Sequence, residues 1–289
     1  MKNKIGIIRP VNLLIIAATM LVIFIKYKNE EAENYIINII LLILPAILTA
    51  AGGYTVNDIY DIEADKINKP ERLFVGHHLS VRQSWILYFL LSIASIGISC
   101  LFSLQYAIVN ICLMGLLYLY SLKLKGLPLI GNLVVALCSS AVIATCILSN
   151  TDGDSVVKFE TYAGFFNFGS YIVFAFFVSL IRELVKDMQD IQGDTAVGLK
   201  TYPIVAGIKG ARILIYIFCG MEIIVCGLYS FITWGLDMYS SSVIMGIITI
   251  SLFVFINYFS RSKSSDEFGK ASKFLKYIMF AGVINLIFS

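Results

Sequence analysis

Residues 41–73 read "LLILPAILTAAGGYTVNDIYDIEADKINKPERL". Residues 41–56 carry no charge, and the next nine hold Asp58, Asp61, Glu63 and Asp65. An uncharged apolar segment of this length suits the hydrocarbon of a bilayer, whereas clustered acids belong at its edge. The rest of the chain repeats the apolar half of the pattern. Its 289 residues are 58% hydrophobic and only 14% charged, with mean hydropathy +0.85, outside the water-soluble globular range. Windows of about 20 apolar residues, enough to cross roughly 30 Å of hydrocarbon as helix, fall near 5–25, 35–56, 83–101, 103–120, 127–148, 163–183, 211–231, 241–260 and 271–288. Strands of a transmembrane barrel would alternate in polarity instead. The expected fold is all-α: a polytopic bundle of nine transmembrane helices forming one domain over residues 1–289. Membrane lipids are the expected surroundings and nucleic acid is not an expected partner; the oligomeric state is left open.

The first window is read as a true span and not a cleaved leader, since it lacks a small-residue cleavage site and carries Arg9, Pro10 and Asn12 in its first turns. Cys100, Cys112, Cys138, Cys146, Cys219 and Cys226 all fall inside windows and form no C-x-x-C pair, so they read as small apolar fillers. If the amino terminus is cytoplasmic and the spans alternate, every Lys and Arg except Lys26, Lys28 and Lys158 lies on the cytoplasmic side. That asymmetry orients the bundle and places the acidic stretch on the cytoplasmic face.

A partner for that stretch appears in "RELVKDMQDIQGD", residues 182–194, at the end of the sixth window. Asp58, Asp61 and Asp65 are spaced i, i+3, i+7, and so are Asp187, Asp190 and Asp194. On a helix this spacing lines three carboxylates along one face. One acidic run would read as a solvated loop or helix cap. Two with the same spacing, on the same membrane side, read as a site. Carboxylates so close repel one another and call for cations. Hard oxygen donors without thiolate or imidazole suit Mg²⁺. Magnesium held by few carboxylates keeps positions for phosphate oxygens, so a diphosphate is the expected ligand. Arg72, Lys123, Lys125 and Lys186 are the cations expected to grip it, with Lys123 and Lys125 as alternatives to each other. An apolar chain handling a diphosphate implies a substrate with a long hydrocarbon tail.

"NDIYDIEAD" and "DMQDIQGD" resemble the NDxxDxxxD and DxxDxxxD motifs of the UbiA superfamily of intramembrane prenyltransferases. "IRPVN", "YSLKLKGLPLIGN", "RELVKD" and "GDTAVGLKTYPIVAG" resemble family blocks in the same order, so the likeness covers nearly the whole chain. The resemblance implies transfer of a prenyl group from an allylic prenyl diphosphate to a lipophilic acceptor, with Mg²⁺ between aspartates and diphosphate. It assigns Asn57, Asp58, Asp61, Asp65, Asp187, Asp190 and Asp194 to the metal site. Tyr54, Tyr60 and Tyr120 are expected to offer ring faces to allylic cation character, and Asn12, a turn from Arg9, to orient the acceptor.

Within the superfamily the blocks look most like the geranylgeranylglycerol-phosphate geranylgeranyltransferase branch, which implies a prenylglycerol phosphate acceptor and a prokaryotic inner membrane with the site facing the cytoplasm. An aromatic acceptor of the quinone or haem type, a terpene cyclase that quenches the cation internally, and a cation transporter are the other readings. Glu222 lies mid-span in "CGMEIIVCG", where an ionisable group either lines the pocket or is neutralised by protonation or a neighbouring helix. His77 and His78 read as solvated loop residues.

Overall fold

The computed structural model describes residues 4–27, 34–148, 157 and 161–289. Among these residues ten α-helices follow one another: α1 Pro10–Lys26, α2 Tyr35–Tyr60, α3 Ile62–Asn68, α4 Val81–Phe102, α5 Leu104–Leu122, α6 Ile130–Ala144, α7 Tyr162–Ala196, α8 Tyr202–Gly235, α9 Tyr239–Arg261 and α10 Ser265–Phe288. There is no named strand among the described residues. Among the described residues, eight helices are long and apolar enough to cross a membrane, α6 counting with the 3₁₀ turn that continues it to Ile147. The first expected span is the shorter apolar helix α1 of 17 residues. At 1.5 Å per residue it extends about 26 Å, just under a bilayer's hydrocarbon thickness. The all-helical, multi-pass architecture is therefore as expected.

Two spans run well past their apolar windows. Helix α7 has 35 residues and continues through the second acidic motif to Ala196. That is about 52 Å of helix, so its last turns extend beyond a bilayer that about 20 residues would cross. Helix α8 starts at Tyr202, nine residues before its window, and is broken at Gly207, whose φ of 72° and ψ of 167° are open to glycine and costly for other residues.

The chain divides into two compact units, one of residues 1–124 with 141–160 and one of residues 125–140 with 161–289. In the first, α2 packs against α1, α4 and α5. Pro45 lies inside α2, and the carbonyls of this stretch recruit partners from other helices. Ser95 Oγ donates to the Pro45 carbonyl at 2.9 Å, and the Tyr106 hydroxyl donates to that of Leu42 at 2.6 Å. Thr49 Oγ1 lies 2.8 Å from Ser95 Oγ and donates to Asn110 Oδ1 at 2.7 Å, while Asn110 Nδ2 donates to Ser99 Oγ at 2.6 Å. This network ties α2, α4 and α5 together where no water competes. We expect Asn110→Leu to lower stability by about 1–2 kcal/mol, because it strands buried hydroxyls on two neighbouring helices. Thr55→Val, which removes only a bond to the Ala51 carbonyl of the same helix, should cost far less. Thermal unfolding of both variants in detergent checks the difference; equal midpoints would remove the clamp's role.

In the second unit α7 packs on α8, α8 on α9, α9 on α10 and α10 on α7, closing a ring of four helices. Its core includes Phe174, Val178, Ile181, Leu184, Ile215, Leu252, Phe255 and Leu275. Arg212 on α8 donates to the carbonyls of Phe259, Ser260 and Ser262, satisfying the exposed end of α9 with a fixed cation. Ser264 and Glu267 form a capping box at the start of α10, and Ser265 Oγ donates to the Gln189 carbonyl of α7 at 2.9 Å. The start of α10 thus braces the turn of α7 that carries the acids.

Candidate active site

The acidic residues of the first unit sit where α2 meets α3. Helix α2 ends at Tyr60, and Asp61 joins it to α3 with φ −89° and ψ 3°. Backbone bonds from Asp61 N–H to the Asn57 carbonyl (2.9 Å) and from Asp65 N–H to the Asp61 carbonyl (2.8 Å) continue across the joint. The expected single-helix stripe is therefore bent at its middle aspartate, with Asp65 on α3. The opening acids remain shielded: Asp58 is 9% and Asp61 7% exposed. Asn57 Nδ2 donates to Asp61 Oδ2 at 2.7 Å.

Arg9 is the residue that holds Asp58, with Nη2 2.7 Å from Oδ1. Its backbone has φ 51° just before Pro10, its N–H bonds to the Gly6 carbonyl, and its guanidinium lies 4.8 Å from the centre of the Tyr54 ring. Asn12 Nδ2 donates to the Tyr54 hydroxyl at 3.1 Å, so Asn12, Tyr54, Arg9 and Asp58 form one connected face. Tyr60 departs from expectation. Its ring packs edge-on against Trp85 and Tyr118, with its hydroxyl 3.3 Å from that of Tyr118. At 100° per residue it projects about 160° from Asp58. Tyr120 is half-buried on α5, and Lys123 is exposed just past the end of that helix.

In the second unit the motif Asp187, Asp190 and Asp194 lies on uninterrupted α7, so the face expected from the spacing is present. Asp194 is 2% exposed, and Asp187 and Asp190 are half-buried. Asn132 on α6 donates Nδ2 to Asp187 Oδ2 at 2.8 Å. Lys125 is an electrostatic neighbour of Asp187. Glu183, one turn before Asp187 and 7% exposed, extends the acidic face and accepts from Lys186 Nζ at 2.6 Å and Arg182 Nη1 at 3.2 Å. Lys186 is thus held by a carboxylate of its own helix. The side chain of Arg72 lies outside the described residues.

Asn132 and Glu183 were not singled out from the sequence, although both stand inside blocks that drew attention, "GLPLIGN" and "RELVKD". The i, i+4 relation of Glu183 to Asp187 was the available signal; nothing local marks Asn132, whose partner is 55 residues away. Glu222 is fully buried on α8, accepting at Oε1 from Cys226 Sγ at 3.5 Å.

Among the described residues no three His, Cys, Asp or Glu side chains are gathered tightly enough to hold a metal by themselves. The donor set nonetheless fits magnesium, since buried or half-buried carboxylates and amides are hard oxygen ligands, and Mg²⁺ commonly takes one or two protein carboxylates with phosphate oxygens and water. Asn57, Asp58, Asp61 and Asp65 in one unit and Asp187, Asp190 and Asp194 in the other are the residues that would supply them.

Known proteins resemble this chain over almost its full length. It is 28% identical to digeranylgeranylglyceryl phosphate synthase of Methanobrevibacter smithii, covering 98% of this chain and 96% of that protein. Identity to the synthase of the same name from Methanosphaera stadtmanae is 30%, covering 99% and 98%. A structure of a UbiA homologue from Archaeoglobus fulgidus bound to DMAPP and Mg²⁺ superposes with TM-score 0.69 at 18% identity, over 98% of this chain and 99% of that one. Residues 13–281 match the UbiA prenyltransferase family, and the chain belongs to that family.

Proposed function

We propose that the chain transfers a prenyl group from an allylic prenyl diphosphate to the hydroxyl of a prenylglycerol phosphate, forming an ether within the membrane, with both units acting as one catalytic domain. The observation that carries the reaction is the pair of shielded acidic faces, on α2–α3 and on α7, in a prenyltransferase-family chain. Support for the acceptor comes from the relatives named digeranylgeranylglyceryl phosphate synthase, which align along nearly the whole chain. Support for the metal comes from the hard-oxygen donor set and from a fold neighbour bound to DMAPP and Mg²⁺.

Magnesium, when bound, neutralises negative charge that builds on the departing diphosphate. The chain's own residues do the remaining work. Asp58, Asp61 and Asp65 in one unit and Asp187, Asp190 and Asp194 in the other would hold the metal, which would supply positive charge to diphosphate oxygens. Lys125, with Lys123 as its alternative, Lys186 and Arg72 are the direct cationic contacts, Lys186 exchanging its Glu183 partner for a phosphate oxygen. As the carbon–oxygen bond to the diphosphate breaks, its electron pair leaves with the diphosphate. The half-buried Tyr120 and Tyr54 offer ring faces to the allylic cation, and the apolar helices keep water from it. Arg9 and Asn12, on the face that includes Tyr54, orient the anionic acceptor. The acceptor hydroxyl then closes the new carbon–oxygen bond and gives its proton to an oxygen base, for which the stripe carboxylates are the candidates.

The acceptor is tested by incubating the purified chain with labelled geranylgeranyl diphosphate and, separately, geranylgeranylglyceryl phosphate, 4-hydroxybenzoate, a hydroxynaphthoate or no acceptor. Label should move into ether lipid only with the glycerol phosphate. Prenylation of an aromatic acceptor alone would replace this choice. A hydrocarbon made without acceptor would mark a cyclase, and metal binding with the diphosphate left intact would mark a carrier.

The positive-inside distribution supports a site facing the cytoplasm. Single-cysteine variants at Asn68 or Gly193 should resist an impermeant thiol reagent added outside cells, while one at Asp237, in the exposed turn between α8 and α9, should label. Labelling of Asn68 and Gly193 but not Asp237 would reverse the orientation.

A further inference from the structure

Helices α4 and α5 are joined through Ser103 alone and pack as an antiparallel pair against α2. Only 22% of the apolar stretch of each is buried, so their outer sides face hydrocarbon. Between them runs an open groove of about 560 Å³, walled by Trp85, Tyr88 and Phe89 of α4 and by Ile111, Gly115 and Tyr118 of α5. Its volume falls within the range of ligand clefts, roughly 300–1,000 Å³. At Gly115 an added Cβ would meet nothing within 4 Å, so the groove is open there to a guest chain.

The two ends of the groove differ. One is held in shape by stacked rings: Trp85 on Phe89 with centres 5.9 Å apart, Tyr88 on Tyr118 at 6.3 Å, and Tyr60 of α2 edge-on to Trp85 and Tyr118, its hydroxyl 3.3 Å from that of Tyr118. Rings with polar tips gather where hydrocarbon gives way to headgroups. Towards Ile111 the lining is apolar and exposed. Beyond the aromatic end stand two exposed cations. Arg82 precedes Trp85 by three residues and Phe89 by seven, on the same face of α4, and Lys123 lies just past the end of α5. Glu63, three residues after Tyr60, is already held by Lys66 at 2.6 Å. An anion at the mouth of the groove therefore meets positive charge, and its tail meets an apolar channel.

We infer that this groove binds one anionic phospholipid of the bilayer, with a hydrocarbon chain along the α4–α5 seam and the phosphate at Arg82 and Lys123. A zwitterionic lipid would gain from the channel alone, whereas the two cations add a preference for negative headgroups. The groove lies off the Asp58 face, since Tyr60 at its mouth projects about 160° from Asp58 around α2. Of the two lysines that follow α5, Lys125 is the electrostatic neighbour of Asp187, and Lys123 is the one at the groove.

Trp85 and Trp234 are the only tryptophans of the chain, so Trp234→Phe leaves the groove with its own fluorophore. The full chain carrying that change is reconstituted in phosphatidylcholine bilayers and titrated with lipids brominated on the chain, which quench tryptophan on contact. Brominated phosphatidylglycerol should quench Trp85 at a mole fraction about tenfold below that needed with brominated phosphatidylcholine. Arg82→Gln combined with Lys123→Gln should shrink this preference to less than about twofold. Gly115→Leu fills the channel without a clash and should shrink it as far, although both cations remain. Equal quenching by the two lipids before these changes would mark ordinary boundary lipid and overturn the proposal, as would a preference that survives either variant. Quenching by neither lipid would mean that a second copy of the chain covers this face, and relief of quenching by geranylgeranyl diphosphate would mean that the substrate occupies it; each would overturn the assignment. No arm of the experiment depends on prenyl transfer, so failure of the proposed reaction would leave this result standing.

Discussion

Asp61→Ala and Asp190→Ala should each lower prenyl transfer by about a thousandfold or more, while the protein still accumulates in the membrane and unfolds near the wild-type temperature. A thousandfold corresponds to about 4 kcal/mol of transition-state stabilisation, within reach of one ligand that helps neutralise a departing diphosphate. Both residues lie at the middle of their triplets, one at the α2–α3 joint and one on α7. Removing either leaves carboxylates on both sides of the gap that cannot close over it without moving a helix. Folding should survive because alanine is a strong helix former and the Asn57 amide that donates to Asp61 is uncharged. Glu63→Ala is the control. Glu63 is exposed and paired with Lys66 three residues on, a surface interaction of small energy, and its loss should change the rate less than about twofold. Rates near wild type in either aspartate variant would return that face to helix capping.

How far the site could be read in advance depended on the distance over which each feature is decided. Acid spacing is local, so the α7 face was legible from Asp187, Asp190 and Asp194 alone. The same spacing at Asp58, Asp61 and Asp65 predicted a straight stripe, but the ψ of 3° at Asp61 bends it, and no glycine or proline marks the bend. Hydropathy located the spans because lipid selects apolar residues wherever a helix crosses. It understated α7, whose last turns carry the acids beyond about 20 residues of span, and α8, whose first turns are interrupted at Gly207. Partners drawn from distant helices were out of reach. Arg9 bonds to a residue 49 positions away and Asn132 to one 55 away, and only the packed helices bring them together. Tyr60 shows the converse: nearness in sequence to the motif suggested a role at the site, while helical phase turned its ring toward Trp85 and Tyr118.

Metal dependence carries an effect at least as large as any single substitution. The acidic faces repel a diphosphate unless cations intervene, and the lysines and arginine expected near them are fewer than the carboxylates; Lys186 in addition is occupied by Glu183. Stripping the metal should therefore remove binding as well as chemistry. The decisive measurement is the initial rate of label transfer from geranylgeranyl diphosphate by the purified chain, first in excess EDTA and then as Mg²⁺ or Mn²⁺ is restored. The account predicts no transfer above background in EDTA, about a thousandfold or greater loss, and full recovery with either ion. Undiminished transfer in EDTA would contradict it.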